Sequence, residues 1–248
     1  MLLLPAMTAP PDEVFARRHT PAPIDKKYAV FRDCLRWEFG FTCAICLLHE
    51  RDILGWGGVE KWGVMHIEHV VPRSHDPRGI GTYANLLYIC RLCNGARSDT
   101  DPEDGHGRRL LDPTRDIWSR HFTVADDRLH FARTDLDAEY TAEVYNINDA
   151  RKVRLRRARR ELVHGLLAAT TSEHDELARL TGTLPRASPT DLTAAISHLE
   201  RRLAQLHRRW TAESWIPEDA PDECRCGRHE ARTLPPAYAR QCVRMTAP

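Results

Sequence analysis

Two pairs of cysteines have the spacing of a metal site. Cys43 and Cys46 form the first pair, and Cys90 and Cys93 form the second, with 43 residues between the pairs. Each Cys-x-x-Cys turn places two thiolates on one side of a tight knuckle, and two knuckles complete the tetrahedral sulfur shell that Zn²⁺ accepts. Because a closed four-sulfur site has no open position for substrate, we expect a structural zinc. Reduced buried cysteines or redox pairs are the alternative.

A second group of metal-binding residue types lies near the end of the chain. It comprises Cys224, Cys226, His229 and Cys242. These residues could hold another zinc, but their spacing fits no common knuckle and prolines surround them. Unliganded thiols are the favoured interpretation.

The segment between the two knuckles contains residue types that suit phosphodiester hydrolysis. It reads His66-Ile67-Glu68-His69-Val70-Val71-Pro72-Arg73-Ser74, then Asn85, and it ends in Cys90-Arg91-Leu92-Cys93-Asn94. Hydrolysis needs a base that activates water and a cation that neutralises charge on the phosphate. His69 suits the base, since an imidazole with a pKa near 6.5 is basic yet largely neutral at cellular pH.

These residues, in this order and at these distances, resemble the HNH endonuclease family in its zinc-stapled form. The resemblance covers about residues 28–100 and implies a ββα-metal core. It implies that Glu68 and Asn94 hold one Mg²⁺ or Mn²⁺ ion, that His69 activates water, and that Asn85 ties the loop to the strand and orients His69. It also implies that cleavage leaves 5′-phosphate ends.

The chain departs from the commonest family pattern at two positions. Glu68 stands where Asp or His is more usual, and its extra methylene could alter the placement of the ion. Asn94 stands where other members use His, which makes this an H-N-N variant. Neither change removes a required group, so we expect an active enzyme.

Hydrophobic periodicity and capping signals predict the elements that position these residues. We expect a helix from Asp25 to Gly40, strands at 64–71 and 86–89, and a hairpin that turns at Asp126-Asp127. Asp149 can cap a basic helix over 149–169, whose apolar side includes Val153 and Ala158. Ser188 opens a second amphipathic helix that extends to Trp210.

The predicted fold class is α+β, with a ββα-metal core and a structural zinc, followed by a mainly helical, basic C-terminal region. The predicted organisation is an irregular N-terminal arm (1–24), an HNH nuclease domain (25–110), a hairpin extension (111–148), a helical basic region (149–210) and an irregular C-terminal tail (211–248).

Positive charge is concentrated in one segment although the whole chain carries only +1. Residues 149–210 hold 13 basic and 7 acidic residues, and most of the excess lies within 151–160. Such a cluster can neutralise DNA phosphates, although a solvated helix face is the alternative. The predicted nucleic-acid contacts, which position the substrate without reading its sequence, are Arg73, Arg97, Arg151, Lys152, Arg154, Arg156 and Arg157.

The composition is that of a globular protein and argues against a membrane-spanning one. With 42% apolar and 29% charged residues the chain is an ordinary globular sequence, and no apolar run approaches the roughly 18 residues that span a bilayer. We therefore expect a cytoplasmic protein. The resemblance to HNH endonucleases implies a DNA substrate, which we expect to be double-stranded, and a role in bacterial defence or restriction. We also expect a protein partner on the 192–210 helix. The alternative is a zinc-stabilised nucleic-acid-binding or interaction module without hydrolytic activity.

Overall fold

The structure is a computed structural model that describes residues 4–5, 15, 17, 23–24, 27–54, 64–182, 188–212 and 242–243. The chain divides into two compact units. The first comprises Met1–Arg157 with Trp215–Pro248, and the second comprises Ala158–Ser214. Within the described residues, no helix is long and apolar enough to cross a membrane.

The helices that begin before residue 150 have at most nine residues, whereas the last two have 33 and 24. They are α1 (Arg32–Glu38), α2 (Glu50–Leu54), α3 (Arg91–Arg97), α4 (Trp118–His121), α5 (Leu136–Val144), α6 (Ala150–Gly182) and α7 (Pro189–Ala212). The strands are β1 (Leu4–Pro5), β2 (Met65–His69), β3 (Leu86–Cys90), β4 (Thr123–Ala125), β5 (Arg128–His130) and β6 (Cys242–Val243). They form three antiparallel pairs, β1 with β6, β2 with β3 and β4 with β5. The predicted α+β class is confirmed.

The centre of the first unit is a β-hairpin followed at once by a helix. In the β2–β3 pair, Met65 lies opposite Cys90 and His69 lies opposite Leu86. Helix α3 begins at Arg91, directly after β3, so the chain has the β-β-α order that the sequence predicted. All five residues of β3 are buried, as expected for the apolar sequence Leu-Leu-Tyr-Ile-Cys in the middle of a core.

A buried polar network joins β3 to the two helices that precede the hairpin. Glu50 at the start of α2 accepts a 2.7 Å hydrogen bond from Arg36 of α1 and another of 2.7 Å from the Tyr88 hydroxyl of β3. Both carboxylate oxygens are thus satisfied inside the core, which offsets the cost of burying the charge.

The helix predicted from Asp25 to Gly40 is a 3₁₀ turn (Tyr28–Phe31) followed by α1. Neither element has a side-chain N-cap bond, and Asp25 lies outside the described residues. Gly40 has φ +55°, a left-handed conformation suited to glycine after a helix, and its position as the stop is confirmed.

Two described residues of the N-terminal segment pack against this core. The Phe15 ring is buried with its centroid 4.9 Å from that of Phe39. Arg17 forms an ion pair with Glu38 at 3.5 Å and donates hydrogen bonds to the carbonyls of Ala84 and Leu86. The remaining prediction of an irregular arm over 1–24 falls largely outside the described residues.

The predicted hairpin is confirmed as β4 and β5. Asp126 and Asp127 have φ values of +50° and +62°, and two consecutive left-handed residues are the signature of a type I′ turn. Asn148, which is not part of the hairpin, stabilises it through two side-chain hydrogen bonds. It accepts from Leu129 N at 2.9 Å and donates to Leu129 O at 2.8 Å.

The predicted basic helix exists, but it is longer than predicted. The set of its residues that is buried also differs from the prediction. It runs through Ala150–Gly182, with Asp149 accepting a 2.8 Å bond from Arg151 N at its start. Ala158, expected on the apolar side, is exposed, whereas Leu155 is buried. The buried side also includes Lys152 and Arg156, since backbone carbonyls satisfy their charges there.

In the second unit, helix α7 confirms the predicted amphipathic helix. Leu199 on its apolar stripe is 3% exposed, so this part of the surface proposed for a protein partner is covered within the chain. Arg202 of α7 forms an ion pair with Glu173 of α6. The second cysteine group lies outside the described residues except for the backbone of Cys242 in β6.

Candidate active site

The two Cys-x-x-Cys turns meet in the core. The sulfur atoms of Cys43, Cys46, Cys90 and Cys93 all lie within 4.8 Å of one another, and all four residues are buried. The Sγ atoms of Cys46 and Cys90 are 3.7 Å apart. Four sulfurs at Zn–S distances of about 2.3 Å in a tetrahedron would be separated by about 3.8 Å. The arrangement therefore suits one zinc ion.

Backbone hydrogen bonds to the sulfurs and the pKa values of the thiols support a zinc site here. Within each knuckle the amide of the second cysteine donates to the sulfur of the first, at 3.5 Å for Cys46 and 3.4 Å for Cys93. Burial and the neighbouring thiols raise the pKa of Cys93 well above its usual range. The pKa of Cys90 is raised as well, so these two thiols resist ionising in the absence of a cation, which a bound metal would supply.

Lys152 and Arg156 of α6 lie near this cysteine group. The Lys152 Nζ donates to the carbonyls of Tyr145 at 2.6 Å and Asn146 at 3.0 Å. Burial opposes its charge, but the cysteines outweigh burial and raise the pKa of Lys152. Arg156 donates to the carbonyl of Cys46 at 3.4 Å. Both residues were predicted to contact nucleic acid, and the structure places them in the interior instead.

His69 is the last residue of β2, and its imidazole is held in one orientation. Its Nε2 lies 3.0 Å from the carbonyl oxygen of Ile80, and its ring meets that of Tyr28 edge-on at 4.9 Å. Because a carbonyl only accepts, Nε2 must carry the proton, which leaves the lone pair on Nδ1. Burial, together with the charges of Arg73 and Arg97, lowers the pKa of His69, although the hydrogen bond that His69 donates to Ile80 O opposes this shift.

Asn85 fixes the loop that carries the Ile80 carbonyl. Its Oδ1 accepts from Val71 N at 2.8 Å, and its Nδ2 donates to Val71 O at 3.1 Å and to Gly79 O at 3.3 Å. Its own carbonyl accepts from Val70 N at 2.9 Å. Asn85 therefore bridges the end of β2 and the residue before Ile80.

Glu68 and His69 adjoin in sequence and still share one pocket. In a regular strand their side chains would point to opposite faces. Here β2 ends at His69, and Glu68 Oε1 turns back to accept from His69 N at 2.9 Å. Burial raises the pKa of Glu68, although the charge of Arg97 and the bond from His69 N oppose this shift.

A pocket of about 320 Å³ brings the predicted catalytic side chains together. Its lining includes Glu68, His69, Asn94 and Arg73, so one concave surface holds an imidazole, a carboxylate, an amide and a guanidinium. Arg73 is exposed at this surface. Asn85 does not line the pocket and acts on it only through the loop.

The other predicted basic contacts have different environments. Arg97 is 1% exposed and binds the end of β2. Arg151, Arg154 and Arg157 are exposed along the beginning of α6, and Arg157 also forms a 3.2 Å ion pair with Asp127. Only these three of the five predicted α6 residues lie where a ligand could reach them.

Sequence reasoning missed several residues that line the pocket. Tyr28 carried a signal only as part of an amphipathic stretch, and Asp99 lies just beyond α3 with no motif to mark it. Ser98 precedes it with φ +50°. The Ile80 carbonyl, which sets the tautomer of His69, belongs to the backbone and has no signal in the residue type.

Comparisons with known proteins agree with this geometry. Residues 43–100 match the family model described as HNH endonuclease. No curated protein and no solved structure matches the chain. The matched segment begins at the first knuckle, contains β2, β3 and α3, and includes every residue of the cysteine group and the pocket's imidazole, carboxylate and amide. The chain therefore carries an HNH endonuclease domain across residues 43–100.

Proposed function

We propose that this protein is a divalent-metal-dependent endonuclease that hydrolyses phosphodiester bonds of DNA. The observation that carries the proposal is the single pocket lined by His69, Glu68 and Asn94. General base, cation ligands and substrate must meet at one phosphorus, and these side chains open onto one space.

His69 acts as the general base. With Nε2 donating to Ile80 O, Nδ1 is the nitrogen that can take a proton from water. Its lowered pKa favours the neutral form that the reaction requires. Asn85 is a positioning residue, because it holds the loop that supplies the Ile80 carbonyl.

Glu68 and Asn94 would hold a Mg²⁺ or Mn²⁺ ion. A carboxylate and an amide present the oxygen donors that such hard cations prefer, and both side chains line the pocket. When bound, the ion supplies charge neutralisation for the phosphate and the departing 3′ oxygen. The chain's own contribution is a carboxylate already oriented by His69 N.

Double-stranded DNA is the proposed substrate. Arg73 lies at the pocket, where it can contact the scissile phosphate, and the exposed Arg151, Arg154 and Arg157 can contact the backbone farther away. A role in bacterial defence or restriction and a protein partner on the 192–210 helix remain predictions from the sequence.

Cleavage of supercoiled plasmid in Mg²⁺ or Mn²⁺ tests the proposal. We expect wild type to nick or linearise the plasmid and His69→Ala to be slower by at least about 100-fold, as for loss of a general base. His75→Ala is the matched control, since His75 is an exposed histidine paired with Asp101 at 2.7 Å outside the pocket lining. It should cleave like wild type.

Zinc content and thermal melting show whether each variant is folded. If folded wild-type protein binds the plasmid but cuts it no faster than His69→Ala with either metal, the binding module without hydrolytic activity is the correct description.

A further inference from the structure

Arg97 ends helix α3 and reaches across to the end of β2. Its side chain is 1% exposed, although arginine is rarely buried without partners. The guanidinium donates to the carbonyls of His69 and Val70, the latter at 2.7 Å, and to Glu68 Oε1 at 3.1 Å. Three consecutive residues of the strand end are therefore held by one side chain.

These contacts restrict the Glu68 carboxylate. Oε1 accepts from both His69 N and Arg97, so its position is fixed from two directions. Among the described residues, no hydrogen bond to Oε2 is found, and Glu68 lines the pocket. Oε2 is therefore the oxygen that remains available to a cation.

The planar fork of arginine is suited to this task. Two nitrogens of Arg97 reach three acceptors that lie in a row along the chain. The compact ammonium of lysine has the same charge but cannot present two fixed donors to acceptors spread in this way. A residue that served only to attract DNA would not need this geometry, and it would lie in solvent.

We propose that Arg97 is a positioning residue that orients Glu68 and fixes the strand end carrying His69, and thereby sets the affinity of the pocket for its divalent ion. This inference rests on the proposed function, because it assigns Glu68 as an ion ligand. It replaces the role of DNA contact predicted for Arg97 from the sequence.

Direct binding of Mn²⁺, followed by electron paramagnetic resonance on zinc-loaded protein without DNA, tests the proposal independently of cleavage. We expect Arg97→Met to weaken Mn²⁺ binding by about 10-fold or more, the range seen when a group that orients a metal ligand is lost. Arg97→Lys should recover only part of the Mn²⁺ affinity that Arg97→Met loses. Arg91→Met is the matched control on the same helix and should bind like wild type.

A second measurement separates positioning from a general loss of structure. In a Glu68→Gln background, Arg97→Met should cause little further loss of Mn²⁺ affinity, because the group that Arg97 orients has already lost its charge. Equal and additive losses in both backgrounds would overturn the proposal. Zinc content and melting temperature report folding, and Arg97→Lys carries the test if Arg97→Met does not fold.

DNA binding distinguishes the remaining possibility. Measured by fluorescence anisotropy without added divalent ion, the affinity of Arg97→Met for a DNA duplex should equal that of wild type within about twofold. A large loss there, with unchanged Mn²⁺ affinity, would show that Arg97 contacts DNA. If wild type binds Mn²⁺ but never cleaves, the proposed function fails while the role of Arg97 is still decided by Mn²⁺ affinity.

Discussion

At the residue scale, His69 is the proposed general base, and its surroundings set the proton affinity of its imidazole. Its pKa is lowered, so as pH falls the imidazole remains neutral below the usual value of about 6.5. We therefore expect single-turnover cleavage at saturating Mn²⁺ to rise with pH and to level off with a midpoint below about 6.5. A midpoint above about 7 would contradict this assignment.

Asn85 provides a second test at the same scale. Asn85→Ala removes the two bonds to Val71 and the bond to Gly79, which frees the loop that carries the Ile80 carbonyl. We expect the rate of cleavage to fall by about 10- to 100-fold while Mn²⁺ affinity changes little. Asn85→Asp retains the acceptor for Val71 N and should lose less activity. An equal loss of Mn²⁺ affinity in Asn85→Ala and Asn85→Asp would argue against a role of Asn85 through His69.

At the scale of elements, the cysteine group joins the start of α3 to the loop before α2. Cys90 ends β3, and Cys93 lies in the first turn of α3, so a metal held by this group would fix the junction from which Asn94 projects. We expect one equivalent of zinc, and we expect its removal by a chelator to lower the melting temperature by more than about 10 °C. Cys93→Ser should behave like the chelated protein, whereas Cys34→Ser, outside the group, should retain the zinc.

The elements that the sequence predicted well are those whose signals are local. The apolar run of β3, the Asp-Asp turn and the helix stop at Gly40 each follow from a few adjacent residues. The 3₁₀ turn at Tyr28–Phe31 was missed. Its Phe31 ring packs edge-on against Tyr83 at 5.0 Å, a contact between residues far apart in sequence that a local pattern does not indicate.

The residue types of the candidate site were predictable from the sequence, whereas the buried cations and backbone carbonyls around it were not. The resemblance to HNH endonucleases pointed to His69 and Asn94, which line the pocket, and to Asn85, which anchors the neighbouring loop. Burial of Arg97 and Lys152 could not be inferred, because their acceptors are carbonyls that only the folded backbone brings near. A run of cations looks the same in sequence whether it faces DNA or the core.

At the scale of the whole molecule, the beginning of α6 has two faces with different roles. Arg151, Arg154 and Arg157 are exposed, whereas Arg156 is buried with its Nε donating to Asp127 O at 2.6 Å. We expect the triple change of the exposed arginines to glutamine to weaken binding of duplex DNA. The slope of log affinity against log salt should fall by about 2 to 3, as for the loss of about three phosphate contacts.

Arg156→Gln is the matched control for that experiment. Because Arg156 contacts carbonyls in the interior, its loss should lower the melting temperature and leave the salt slope of the folded protein unchanged. If the triple variant retains the wild-type salt slope, the exposed face of α6 does not bind DNA.

The two internal cations beside the cysteines lie well beyond the segment that the family model matches. That segment ends at residue 100, whereas the counter-ions of its sulfur cluster come from Lys152 and Arg156. A fragment excised at the family boundary would keep every ligand and lose the charges that balance them. Recombination or engineering that transplants this HNH domain into another protein would have to include the chain as far as the first two turns of α6.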